Sequence, residues 1–471
     1  MASTETNEAW DFIIIGGGSA GCVLANRLSA DPQTNVLLLE AGGSDRSLSV
    51  AVPALVMQAI ASKNWKYHAE PDESRNGLVD IWHGGKVLGG GSSISGMIYV
   101  RGHRYDYDHW SRLGCDGWDY DSLLPHFKRI ETYERGASHY RGGDGPLRSS
   151  DIRLTHPMMD AVVDAAQQAG IPANPDYNGE SQEGIAHAQA YQRSGFRHNN
   201  GRAFIRPVRH RKNLTVALEA FVSRILFDGT RATGVEYRQR GRTLQVHCRR
   251  EIVLSAGAIA SPKILMLSGI GPEAELRRHG IGVISDSPQV GQNLQEHPVI
   301  TLSWGVNIPT INSDLFSYRS LKHAFDYLLF RRGPLSACTA HTQAFLKNQL
   351  GAGHGWTDLQ LIFQALSYTP RIDEKTGMRT FRLSNRPGVN ASVIALHPEY
   401  KGSIGLRSAN PEDAPVIRHQ LVGSDYEMKQ LIAGARTVRE IFSQQALRPF
   451  LTREFAPGSE VDSDEDLEAY V

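Results

Sequence analysis

An apolar run that breaks into clustered glycines leaves a chain few ways to fold, and this chain opens with one. Residues 11–15 (Asp-Phe-Ile-Ile-Ile) read as a short buried strand. Gly16, Gly18 and Gly21 follow in Gly-Gly-Gly-Ser-Ala-Gly, and Ala20 to Leu28 reads as a helix. Asn35 to Glu40 is a second buried strand. Strand, glycine turn, helix and strand in this order form a βαβ unit. Gly16 permits a tight turn, Gly18 lets backbone approach a pyrophosphate, and Gly21 allows the helix to pack on the strand. The helix N-terminus then offers N–H groups to phosphate. Glu40 ends the second strand, where an acid accepts hydrogen bonds from ribose hydroxyls and repels a 2′-phosphate. The pattern predicts dinucleotide binding; the plainer alternative is a glycine-rich structural turn.

The rest of the chain limits what such a unit can serve. At 471 residues it is long enough for two or three domains. Basic and acidic side chains balance at 50 each, which excludes the basic excess of a nucleic-acid binder. Met1 to Trp10 is polar and carries two acids, unlike a secretion signal, and no apolar stretch is long enough to span a bilayer. Cys22, Cys115, Cys248 and Cys338 lack metal or redox spacing and read as ordinary buried thiols of a reducing compartment, so cytoplasm is the expected location. Alternating stretches at 213–227, 231–237 and 243–254 read as strands, and a helix starts near Ser261. Leu359 to Phe363, Ala391 to Leu396 and Ser403 to Leu406 read as strands of an antiparallel sheet, residues 425–443 as a helix, and the acidic tail from Ser459 as the opening of another.

A second glycine-rich segment decides between dinucleotides. Residues 84–96 hold too much glycine for a regular element and predict a loop of close backbone approach. At Gly84 to Val100, followed by Arg101-Gly102-His103, the sequence resembles the glucose–methanol–choline (GMC) oxidoreductases. Gly257 to Pro262 through Ser268 to Pro272 resembles their second signature. Asn64-Trp65, Gly291 to His297, Gly333-Pro334-Leu335 and Gly402 to Pro411 are similar too. The resemblance runs from about residue 10 to 468.

The resemblance implies an α/β fold. An FAD-binding, Rossmann-like domain with a parallel sheet (8–150 and 200–300) would interleave with an α+β substrate domain carrying an antiparallel sheet (151–199 and 301–458). Gly16, Gly18, Ser19, Ala20, Glu40 and Ala41 would hold the ADP half of FAD, with Trp65 near the adenine end. Val87, Gly90, Ser95, Gly96, Met97 and Ile98 would line the pyrophosphate and flavin ring. Val222 would meet the adenine, and Ala256 and Gly257 would close the pocket. The implied reaction is oxidation of an alcohol to a carbonyl, with electrons passed to oxygen, a quinone or a dye. A lyase of the same fold, an NAD-dependent dehydrogenase and an inactive fragment are the rival readings. Relatives carry their catalytic histidine in a segment after the position of Val471, so residues 459–471 read as the start of a truncated C-terminal segment and no catalytic residue is assigned. His83, His297 and His341 lie near the motifs, but a packed structural role is the plainer reading of each.

Some members attach FAD through a histidine of the second glycine loop, where this chain has Ile94. An isoleucine carries no nucleophile, so the flavin is expected to be noncovalent. Acid precipitation of the yellow protein should release all of its colour to the supernatant; colour retained in the pellet would contradict the reading.

Overall fold

A computed structural model describes residues 4–315, 317–337, 339–348, 355–372 and 379–471. From the N-terminus, β1 (Thr4–Ile15) enters the Gly16 turn and leads to α1 (Ser19–Leu28) and β2 (Val36–Leu39). Further along come α2 (Pro157–Gln168) and β3 (Gly184–His187). Next are β4 (Leu214–Ala217), β5 (Phe221–Asp228), β6 (Arg231–Gln239), β7 (Arg242–Leu254) and α3 (Gly257–Leu267). The remainder supplies β8 (Val299–Val306), α4 (Arg319–Phe330), β9 (Thr342–Leu346), β10 (Leu359–Gln364), β11 (Gly388–Ala395), α5 (Asp425–Ser443) and β12 (Leu451–Ala456).

Two six-stranded sheets organise the molecule. The first runs β4-β2-β1-β7-β6-β5. β4, β2, β1 and β7 are parallel, and β7-β6-β5 is an antiparallel meander on one edge. Its central strands are apolar on both faces because both are covered. Phe12, Ile14, Val36 and Leu38 pack toward α1, while Ile13, Ile15, Leu37 and Leu39 pack toward Val222, Val235 and Ile264. β1 starts earlier than its apolar run predicts. The ladder bonds are made by backbone, and the long β7 offers partners back to Thr4 opposite Leu244.

The second sheet runs β12-β8-β11-β10-β9-β3 and is antiparallel throughout. Its strands alternate. Leu302, Trp304, Ala344, Leu361, Phe363, Ala391 and Val393 form one core with α2 and α5. Ser303, Gln343, Asn390 and Ser392 sit on alternate positions and are buried as well. Ser403–Gly405, expected in this sheet, instead pairs only with Val416–Arg418. The tail forms the helix Asp464–Tyr470, capped by Ser463. Among the described residues no helix is long and apolar enough to cross a membrane. Cys22 is buried as expected, but Cys248 is half-buried and Cys115 exposed, because Cys115 sits in the polar turn after Arg112. Cys338 lies outside the described residues.

α5 approaches β11 so closely that only glycine fits at their crossing. A Cβ on Gly434 would overlap Val393 Cγ1 and lie 3.5 Å from Leu359 Cδ2. Gly434→Ala gains helix propensity of about 1 kcal/mol but overpacks the core by about 1–3 kcal/mol. We expect net destabilisation in urea unfolding, partly recovered when Val393→Ala is combined with it.

Candidate functional site

The glycine turn is built as the fingerprint requires. Gly16 has φ +95°, a conformation that a side chain would strain, and a Cβ there would come within 2.6 Å of the Ser255 carbonyl. At Gly21 a Cβ would overlap the Gly16 carbonyl, so the helix seats directly on the turn. Gly18 differs. It caps α1 with φ −74° and ψ −160°, and a Cβ on it would meet only the Ser255 carbonyl at 3.9 Å. Space has been left there, and that space is part of a cavity.

The cavity has a volume of about 1470 Å³, larger than most small-molecule pockets. It opens at the carboxyl ends of β1 and β2 and reaches Pro298 to Ile300, where β8 of the second sheet begins. Gly16, Gly18, Ser19, Ala20, Glu40 and Ala41 line one wall. Trp65, Gly90, Val222, Ala256 and Gly257 line the others. Gly90 has φ +53°, and a Cβ on it would lie 2.7 Å from Gly18 Cα. The two glycine loops therefore touch, and the first turn of α1 faces their junction. Its N–H groups have no acceptor within their own helix and favour an anion. Trp65 stacks on Tyr67 at 5.9 Å, and Lys86 Nζ lies 4.4 Å from the Trp65 ring centroid. A glycine-walled cradle, a helix N-terminus and flanking aromatic rings fit a large dinucleotide.

Five expected residues do not reach this cavity. Val87 is turned away from it and packs with Val50, Ala59 and Ile94. Met97, with φ +68°, points into a cluster with Ala188, Ala190 and Ala340. Ile98 bridges to Ala190, and Ser95 Oγ bonds the Tyr191 hydroxyl. At Gly96 a Cβ would collide with Thr339. After Gly91 the loop leaves the cavity and docks on neighbouring backbone, a path that glycine content alone does not specify. Arg197 fixes it there by donating to the carbonyls of Ser92 and Ser95 at 3.3 and 2.8 Å. Nothing in the local sequence marks Arg197 for this duty, because it is more than 100 positions away.

The histidines separate clearly. His341 is fully buried, its Nδ1 accepts from the Ala365 N–H at 2.9 Å, and burial pushes its pKa down to about 3. It is a neutral core residue of the second sheet. His83 and His297 both line the cavity, and burial lowers the pKa of each.

Glu40 holds the turn itself. Its Oε2 accepts from the Gly17 N–H at 2.8 Å and its Oε1 from the Gly42 N–H at 2.7 Å. It ties the glycine turn to the end of β2. Burial raises its pKa from 4.5 to about 7, against the two N–H donors and Lys86, which pull it down. The folded state therefore holds a proton that the unfolded chain loses near 4.5. Stability from this carboxyl is full below that pH, falls as pH rises toward 7, and then levels off. We expect the cofactor-free protein to lose on the order of 1–3 kcal/mol across this window in urea titrations. Glu40→Gln should flatten the profile; an unchanged slope would assign it to another group.

Comparison with known proteins agrees with this geometry. The GMC oxidoreductase family models match residues 10–299 and 398–471. The chain is 38% identical to human mitochondrial choline dehydrogenase over 480 residues, covering 100% of this chain and 79% of that protein. It is 38% identical to an alcohol dehydrogenase [acceptor] of Pseudomonas putida, covering 98% and 83%. The solved structure of a mutant Aspergillus oryzae formate oxidase, described for its FAD modification, superposes with a TM-score of 0.89 at 25% identity, covering 98% of this chain and 86% of that one. Family models over most of the chain, the two-sheet fold and a cradle shaped for a dinucleotide together make this chain a member of the GMC oxidoreductases, FAD-dependent enzymes that oxidise alcohols.

Proposed function

We propose that the chain oxidises the CH–OH group of a small alcohol to a carbonyl by hydride transfer to flavin N5. The observation that carries this reading is the cradle at Gly18, where backbone from two glycine loops meets and a missing Cβ leaves room for a ligand. FAD supplies the two-electron acceptor. The chain supplies the rest. Gly16, Gly18, Ser19 and Ala20 would bind the pyrophosphate through backbone N–H groups. Glu40 would keep the turn in shape and present its remaining lone pairs to the ribose. Trp65 and Val222 would flank the adenine, with Ala41, Gly90, Ala256 and Gly257 completing the walls. Val87 and residues 95–98 would act one layer back, by holding the second loop in place.

In this reading the first sheet is the cofactor unit. The second sheet, with its helices, is the substrate unit, and the alcohol binds where the cavity reaches β8. The names of the relatives favour choline or a simpler alcohol as substrate; the electrons would pass to oxygen, a quinone or an artificial dye. His83 and His297, which line the cavity, are placed to take up a proton there; His341 is withdrawn from that role by its position in the core.

Gly18→Val tests the cradle directly. The backbone there suits any residue and the fold offers no clash, so the variant should fold with an unchanged far-ultraviolet spectrum. Its side chain would fill the phosphate space, and the protein should purify colourless. Flavin retained at the parent's level would place the cofactor elsewhere. A panel of choline, aliphatic and aromatic alcohols with a dye acceptor tests the reaction. Reduction of the dye by one class identifies the substrate. A flavin-loaded protein that cleaves cyanohydrins and bleaches no dye would be a lyase instead.

A further inference from the structure

The short hairpin that carries His83 fixes where its imidazole holds a proton. Tyr67–His68 pairs with Ile81–Trp82 in two-residue strands, and Asn64 bridges to Gly85 beyond them. Between these pairs the backbone at Lys66 has φ +53°, a left-handed bend. Asn64 holds that bend. Its Oδ1 accepts from the N–H groups of Lys66 and Gly84, both at 3.0 Å. The other end of the same amide, Nδ2, lies 2.7 Å from His83 Nδ1.

These bonds decide the tautomer. The amide cannot be turned over, because its nitrogen would then face two N–H donors. Nδ2 is therefore the donor, and His83 Nδ1 accepts from it. A neutral imidazole that accepts at one nitrogen carries its proton on the other. The proton of His83 is on Nε2, which has no partner among the described residues. His83 is exposed and lines the large cavity. It does so at the Trp65 end: Trp65 follows Asn64, and a Cβ on Gly84 would lie 3.3 Å from Trp65 Cδ1.

We propose that His83 is a hydrogen-bond donor to the bound cofactor, giving its Nε2–H to an acceptor atom of the adenosine half, with Asn64 as the residue that sets its tautomer. The inference rests on the FAD reading above and adds a residue to it. Adenine ring nitrogens and ribose oxygens are acceptors of the kind required, and the aromatic Trp65 stands at the same end of the cavity. Taking up a proton at Nδ1 would break the Asn64 bond, so the arrangement favours a donor that keeps its proton on Nε2. Asn64 acts through His83 and touches no ligand itself; it is a positioning residue.

Nitrogen-15 NMR of the flavin-loaded enzyme tests the tautomer, with the His83 signals assigned by their absence from His83→Phe. At neutral pH and above, Nδ1 should be the bare nitrogen and Nε2 the protonated one. Titration of FAD into the stripped protein, followed by flavin fluorescence, tests the contact. His83→Phe keeps a ring but no donor and should raise the FAD dissociation constant by about threefold to tenfold, the loss of one hydrogen bond. His83→Gln can accept from Asn64 with Oε1 and donate from Nε2, so it should stay within about twofold of the parent. Asn64→Asp keeps the oxygen that holds Lys66 and Gly84 but offers Nδ1 an acceptor. At pH 9, with the imidazole neutral, its proton should move to Nδ1 and FAD binding should weaken as in His83→Phe. Both His83 variants should keep the parent's melting temperature without flavin, since the side chain is exposed. A proton on Nδ1 in the parent, or a His83→Phe protein that binds FAD as the parent does, overturns the proposal and leaves the cradle at Gly18 standing. A parent that holds no flavin overturns both.

Discussion

Everything at the cofactor end depends on one steric fact: the Gly16 carbonyl and Gly21 stand too close for a side chain to intervene. That contact fixes the first turn of α1 at the carboxyl end of β1, and the phosphate-facing geometry follows from it. Glu40 secures the same turn from the other side by accepting from the N–H groups of Gly17 and Gly42. Ser255 closes it, with its Oγ donating to the carbonyls of Ile15 and Gly16 at 3.0 Å each. Two distant segments, at Glu40 and at Ser255, thus converge on a turn that has no side chains of its own to hold it.

The second glycine loop is held by a different device, buried charge. Glu131 is inaccessible and accepts from both Arg101 and Arg141 at 2.6 Å. Arg141 also pairs with Asp176 at 2.6 Å and donates to Gln189 at 2.9 Å. The two guanidinium groups hold the Glu131 carboxyl below its usual range despite burial. Such a network adds little net stability, but losing one partner leaves the others charged and dry. It ties the chain after Ile98 to the strands near Ala190. The path from the cavity to the second sheet is therefore set by ions as well as by the apolar packing of Met97 and Ile98.

Legibility followed the range of the interaction. The βαβ unit was readable because turn, helix and strand are local, and Gly16, Gly18, Gly21 and Glu40 each answer a short-range demand. The helix 425–443 was readable for the same reason: its capping box at Ser424 and its period both lie within the segment. The fate of residues 95–98 was not. Their direction depends on Arg197, Thr339 and Ala190, which come near only in the folded chain. Glycine content marked a close approach without saying which backbone would be approached. His341 shows the same limit. A packed structural role is the plainer reading of its sequence and is what the structure has, but the strands that bury it are far apart in sequence, so which ones do so is not legible.

The cavity itself implies a coupling between cofactor and fold. Its walls on the first sheet carry many glycines and alanines, which cannot collapse inward to fill the space, and a carboxyl that prefers water is buried beside it. A cavity of this kind is a standing cost to the empty protein, because its lining lacks contacts on one side. A ligand that fills it returns those contacts and stabilises the folded state alone, by about 2.7 kcal/mol at a free concentration 100 times its dissociation constant. The wall also reaches the second sheet at Pro298 to Ile300. A ligand that filled the whole cavity would touch both sheets, and its binding energy would add to the energy that keeps them in register.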